Sequence, residues 1–253
     1  MTMVLLTALG VGGATVFGAL IGFLFKNISH KFSDIVLSFA AGVMLAAAVL
    51  GLVIPSVEYG GSGGYALAVT VAGIFTGAVC LNLIDRLVPH LHKLAGAEDE
   101  AHPPSANLDK VLLFVAAIAI HNLPEGIAAG VSFGGENTAD ALIISGGIAL
   151  QNIPEGMVII APMLASGIKP SKTFFIALAT GLVEVAGTLI GYFAVSVSSA
   201  ILPFALAFAG GTMLYVVSDE MIPETHADGN KRGVTYSLLI GFCLMLVLDI
   251  LLG

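Results

Sequence analysis

Residues 111–132 read VLLFVAAIAIHNLPEGIAAGVS, and residues 141–165 read ALIISGGIALQNIPEGMVIIAPMLA. Each run is long enough to cross a bilayer, whose ~30 Å hydrocarbon core takes about 20 residues of helix. Each holds one formally charged residue, Glu125 in the first and Glu155 in the second. Runs this continuous are helical, because the strands of a membrane barrel alternate apolar and polar residues. The same ruler finds eight candidate spans along the chain, at about 4–25, 35–56, 65–84, 111–132, 141–165, 173–196, 201–218 and 233–252. The expected fold class is therefore an all-α polytopic membrane protein with eight transmembrane helices, built as a single transmembrane domain over residues 1–253.

Composition excludes the alternatives. Of 253 residues, 57% are hydrophobic and only 10% charged, and the mean hydropathy is +1.02. Soluble domains carry about 25% charge, and disordered chains are poor in apolar residues. A net charge of −8 with nine dispersed Lys and Arg gives no footprint for nucleic acid. Cys80 and Cys243 each lie inside an apolar run and form neither a metal-ligand spacing nor a disulfide framework. The first run reads as a span rather than a signal peptide, as it lacks a basic leader and exceeds the usual apolar length.

The nine basic residues orient the chain. Lys26 and Lys31 follow span one; Arg86, Lys93 and Lys110 separate spans three and four; Lys169 and Lys172 separate five and six; Lys231 and Arg232 separate seven and eight. All fall on one side, which the positive-inside rule makes cytoplasmic. Both termini then face outside, in a multi-pass protein of the cell's inner (plasma) membrane. The outer loops and ends carry only the acids Glu58, Glu136, Asp140 and Asp249, a face that attracts cations weakly. The long connection, residues 85–110, is a cytoplasmic loop with His90, His92, His102, the acidic run 98–100 and Pro103-Pro104.

Three glutamates lie deep in apolar spans: Glu125, Glu155 and Glu184. A charge at the bilayer centre costs about 2.5–3.5 kcal/mol on insertion scales, so three left alone cost on the order of 8–10 kcal/mol. No Lys or Arg lies within a span to neutralise them. Either they are protonated, or they are matched by a cation that is not part of the chain. Their neighbours point to the second. His121-Asn122-Leu123-Pro124-Glu125-Gly126 and Gln151-Asn152-Ile153-Pro154-Glu155-Gly156 are one hexapeptide repeated thirty residues apart. In each copy the first residue and the Glu are four apart and share a helix face. Adjacent antiparallel helices can oppose these faces, which brings His121, Glu125, Gln151 and Glu155 together as a four-ligand site of nitrogen and oxygen. Asn122 and Asn152 lie about 100° around their helices. They can complete a second site with Glu184, bridged by the two motif glutamates. Pro124 and Pro154 free the carbonyls of residues 120 and 150, which membranes tolerate where backbone lines a polar cavity or is buried in protein. Gly126 and Gly156 permit close helix approach.

The paired motifs, the eight-span plan and the outside termini resemble the prokaryotic branch of the ZIP family of divalent metal transporters, over nearly the whole chain. That resemblance implies an inverted 3+2+3 arrangement, with spans 1–3 and 6–8 repeated around the central pair. It implies that His121, Glu125, Gln151 and Glu155 hold one metal. Asn122, Asn152 and Glu184, with the shared glutamates, hold another. Met44 resembles the family's methionine beside the pathway. Asp85, His90, His92, Asp219, Glu220, Glu224 and His226 mark a release path at the cytoplasmic ends of spans three and seven. The chain departs from the common span-five motif, since Gln151 and Asn152 replace a His and a Glu and Gly156 replaces the last Glu, so the second site carries less charge.

The expected function is uptake of divalent metal into the cytoplasm. Zn²⁺ is favoured by the mixed His and carboxylate set; Fe²⁺, Mn²⁺ and Cd²⁺ also fit, whereas Cu⁺ lacks paired soft ligands. The metal is substrate, no organic cofactor is expected, and the chain is compatible with a homodimer. No nucleotide-binding motif is present, so an ion gradient or the membrane potential supplies the drive. The zinc-protease signature His-Glu-x-x-His is also missing, which argues against an enzyme. Two rivals are a proton-coupled carrier of a small organic cation and a membrane metal sensor that binds without transporting.

Overall fold

Hydrocarbon offers no partner to a bare peptide group, so a chain this apolar must satisfy its backbone internally. The computed structural model shows this: almost every described residue is helical, and no strand occurs among them. The structure describes residues 1–25, 29–87, 104–227 and 231–252, with side chains for all of these except 85–87, 104–117 and 231. His90, His92 and His102 lie outside the described residues, as does the side chain of Asp85.

Eight rods make up the structure. They are α1 (Thr2–Leu24), α2 (His30–Ala46, continued by a π turn Ala47–Val53 and the short helix Ile54–Tyr59), α3 (Gly64–Leu87), α4 (Pro104–Ser132), α5 (Thr138–Ala165), α6 (Pro170–Val197), α7 (Leu202–Val216, continued by a π turn Val217–Met221 and Ile222–His226) and α8 (Lys231–Leu252). Among the described residues seven are long and apolar enough to cross a membrane. The eighth, α4, carries the first hexapeptide. The protein is an all-α polytopic membrane protein.

Local sequence sets the ends. Ser29 caps α2, its Oγ accepting the Phe32 N–H at 3.3 Å. Asn137 caps α5, its Oδ1 accepting the Ala139 N–H at 3.0 Å. Pro170 opens α6 at a position where no N–H is needed. Gly167, at φ +79°, turns the chain out of α5 in the left-handed conformation that glycine adopts without strain.

Each π turn runs into an Ile-Pro pair, Ile54-Pro55 in α2 and Ile222-Pro223 in α7. In a regular helix the proline ring strikes the carbonyl four residues back; widening the turn moves that carbonyl aside. The rod α7 therefore runs past Val217-Ser218, where apolar continuity ends, to His226. An Ala-Gly pair precedes the Ile-Pro pair by the same interval in both rods, Ala41-Gly42 in α2 and Ala209-Gly210 in α7. Successive spans alternate in direction, so this shared pattern runs opposite ways in spans two and seven, in keeping with an inverted repeat.

The rods form two groups. In one, α4 lies along α6, and α1 lies along both α5 and α6; in the other, α3 lies along α7 and α2 along α8. The groups meet where α2 touches α5 and α4 touches α7. The largest apolar cluster fills this seam, with Met44, Leu52 and Met213 on one side and Ala128, Ile144 and Ile148 on the other. Within the first group the motif glycines let backbones touch. A Cβ on Gly126 would overlap the Glu184 carbonyl, and one on Gly156 would overlap the Thr15 carbonyl.

Candidate functional site

The two hexapeptides lie in mid-helix, on α4 and α5, and both helices continue through their prolines. Glu125, Gln151, Asn152 and Asn122 are each at most 1% exposed, and Glu155 is 8% exposed. Glu125 lies close enough to Glu155 and Glu184 for their charges to act on one another, and Glu155 stands in the same relation to His121. The structure thus brings both copies of the motif into one buried neighbourhood with Glu184 of α6.

The hydrogen bonds there are unevenly shared. Asn122 Nδ2 donates to Glu184 Oε1 at 2.6 Å and to the Thr180 carbonyl at 3.2 Å. Asn152 Nδ2 donates to Glu184 Oε2 at 2.7 Å and to the Val11 carbonyl at 3.4 Å. The Thr15 hydroxyl of α1 donates to Glu184 Oε1. In contrast, six buried oxygens have no donor at all: both of Glu125, one each of Glu155 and Gln151, and the Oδ1 atoms of Asn122 and Asn152. Gln151 lies beside Glu125, but its amide nitrogen makes no hydrogen bond either. A buried polar atom without a partner costs about 1–3 kcal/mol, more when it is charged. A cation among them would satisfy oxygens that the protein itself leaves without donors. Among the described residues no three His, Cys, Asp or Glu side chains are grouped to hold a metal by themselves, so the donor set depends on the amide oxygens as well.

His121 is turned toward the other group of helices. Its Nε2 lies 2.9 Å from both Oε1 and Oε2 of Glu220. The π turn of α7 carries Glu220 inward, where it is 6% exposed; it is not a loop residue beyond the span. Each of the other described pathway candidates has its own surroundings. Met44 is buried in the apolar seam. Asp219 is exposed and accepts from the Tyr215 hydroxyl at 3.1 Å. Glu224 is exposed. His226 ties the end of α7 together, with Nδ1–H donating to the Ile222 carbonyl at 2.8 Å and Nε2 3.3 Å from the Thr235 hydroxyl. Thr15 was not among the residues singled out from the sequence. A hydroxyl in an apolar helix is cheap to bury and gives no signal there beyond the small residues flanking it.

Residues 92–249 match the family profile described as ZIP Zinc transporter. The chain belongs to the ZIP family. Across this family it is similar to the zinc transporter GufA of Myxococcus xanthus, 42% identical over 98% of each chain. It is 37% identical to the zinc transporter ZIPB of Bordetella bronchiseptica, over 95% of this chain and 78% of the relative. A human ZIP-family relative, the zinc transporter ZIP11, is 31% identical over 95% of this chain and 94% of its own length.

Proposed function

We propose that this ZIP-family protein is a transporter, not an enzyme, and that it carries divalent metal cations, zinc foremost, into the cytoplasm. The observation that carries the reading is the set of six buried oxygens without donors on α4 and α5, beside an imidazole, in spans whose sequence holds no Lys or Arg. His121, Glu125, Gln151 and Glu155 are the proposed ligands, with the amide oxygens of Asn122 and Asn152 beside them. Zinc accepts such a mixture of nitrogen and oxygen, and the relatives named above as zinc transporters support the same ion. Fe²⁺, Mn²⁺ and Cd²⁺ suit the oxygen-rich part of the set.

The ion sheds water as it enters and is held by ligands that all belong to one group of helices. Rocking of that group against the other then opens the site to the opposite side. His121 faces Glu220 across the seam, so its Nε2 exchanges the Glu220 carboxylate for the cation as the ion comes and goes. Asp219, Glu224 and His226, at the far end of α7, offer stepping positions for release. The membrane potential supplies about 2.3 kcal/mol per charge per 100 mV, doubled for a divalent ion. We place the protein in the plasma (inner) membrane as a single transmembrane domain with both termini outside.

The test is zinc flux into proteoliposomes holding a zinc-sensitive dye, with an inside-negative potential imposed. Saturable uptake by the wild type, lost when Glu125 and Glu155 are both changed to Gln, is the expected result. Tight binding without flux would make the protein a sensor, and absence of binding would overturn the metal reading itself.

A further inference from the structure

We propose that Glu184 is a positioning residue rather than a metal ligand, and that the site between α4 and α5 consequently holds one divalent ion per chain. The inference rests on the metal-site reading above. Glu184 is fully buried on α6, and its carboxylate receives a donor from each of the three other helices in its group: Thr15 of α1, Asn122 of α4 and Asn152 of α5. An ionised carboxylate has about four lone-pair sites. Three are occupied, and the donors that occupy them present positive hydrogens to any approaching cation. For Glu184 to bind metal through both oxygens, at least one asparagine amide would have to turn over and abandon a charge-assisted hydrogen bond.

The asparagines are held by more than Glu184. Each Nδ2 has a second acceptor, the Thr180 carbonyl for Asn122 and the Val11 carbonyl for Asn152. The nitrogen end of each amide is thereby committed, and its Oδ1 occupies the other branch of the same planar group. Both Oδ1 atoms are buried without a donor. Asn122 and Glu125 are three residues apart on one helix, as are Asn152 and Glu155, so these oxygens neighbour the donorless oxygens of Glu125 and the one of Glu155. Glu184, together with the Thr180 and Val11 carbonyls, therefore sets which end of each amide the ion meets.

Charge counting leads to the same number of ions. Glu125 and Glu155 together balance one divalent cation. A second would add two positive charges and find Glu184, with three of its four lone-pair sites engaged, and Glu220, which lies against His121.

The experiment measures zinc stoichiometry and affinity of the full chain in detergent, by elemental analysis and by competition with a chelator of known affinity. The wild type should saturate at one zinc per chain. In Glu184→Gln the new amide group meets the asparagine donors with a donor of its own, so one asparagine must flip. Zinc affinity should then fall by about 10–100-fold, the usual effect of losing a group that orients a ligand, while stoichiometry stays at one. Thr15→Val should weaken binding in the same direction at unchanged melting temperature, and Thr15→Ser should restore it. Wild type binding two zinc ions, with one lost in Glu184→Gln, would overturn the inference and leave the transport reading standing. Affinity unchanged in both Glu184→Gln and Thr15→Val would overturn the positioning role. A wild type that binds no zinc would remove the metal site, and this inference with it.

Discussion

Replacing Glu125 with Gln changes one oxygen for an amino group and leaves the shape intact, so its effect reads the charge alone. Glu125 is buried, and neither of its oxygens has a donor. Two unit charges 4 Å apart interact by about 4 kcal/mol at an effective permittivity of 20, and a divalent ion doubles that to about 8 kcal/mol. Against this stands the roughly 2.5–3.5 kcal/mol needed to hold a charge at such depth, which the variant no longer has to meet. The net loss is about 5 kcal/mol, or more than a thousandfold in zinc affinity at ~1.4 kcal/mol per tenfold. Stability without metal should move the other way. The charged form of Glu125 is repelled by Glu155 and Glu184, and a neutral amide carries neither that repulsion nor the cost of protonation that would avoid it. Chelator competition and thermal melting of purified protein measure the two effects separately. Zinc affinity within tenfold of wild type, or a metal-free variant that melts earlier, would refute the electrostatic account.

Zinc binding should release protons and weaken as pH falls, because its ligands must shed protons to bind metal; a pH dye in lightly buffered solution reads this, and binding that is flat from neutral to acid pH contradicts it. Glu220→Ala removes an anion that competes for His121 and should tighten equilibrium zinc binding by about tenfold or more, in line with the 1.5–3 kcal/mol of a hydrogen bond to a charged group, while slowing release in a flux assay. Gly126→Ala drives a methyl into the Glu184 backbone carbonyl and should destabilise the protein by about 1–3 kcal/mol, seen as a lower melting temperature in detergent, whereas Gly146→Ala, with open space around it, should not.

What could be read from the sequence was whatever hydrocarbon makes expensive. A carboxylate in the middle of an apolar run needs a reason, so Glu125, Glu155 and Glu184 stood out at once, and the repeated hexapeptide related the first two. Two features were not legible. Thr15 donates to Glu184, but a threonine in an apolar helix can satisfy itself on its own backbone and leaves no mark on the pattern. Glu220 belongs with His121, yet Ser218-Asp219-Glu220 reads as the polar end of a span. Only the π turn, which is a property of backbone geometry and not of residue type, rotates Glu220 inward while Asp219 stays exposed. The sequence also suggested a second metal place at Asn122, Asn152 and Glu184; it could not tell that the two amides turn their nitrogens toward the carboxylate.

The π turn at Val217–Met221 makes this stretch sensitive to chain length in a way that its residue types do not reveal. Such a turn takes up about one residue more than the α turn it replaces. Removing one of the five would let the turn close to α-helix, with the far end of the rod nearly in register but the residues of the turn itself re-aimed. Glu220 would leave His121, and Pro223 would regain its clash. Side-chain replacements at Val217 or Met221 keep the count and so keep the register. Deletions here should therefore be far more damaging than substitutions, and the matching turn at Ala47–Val53 should share that intolerance on the opposite side of the bilayer.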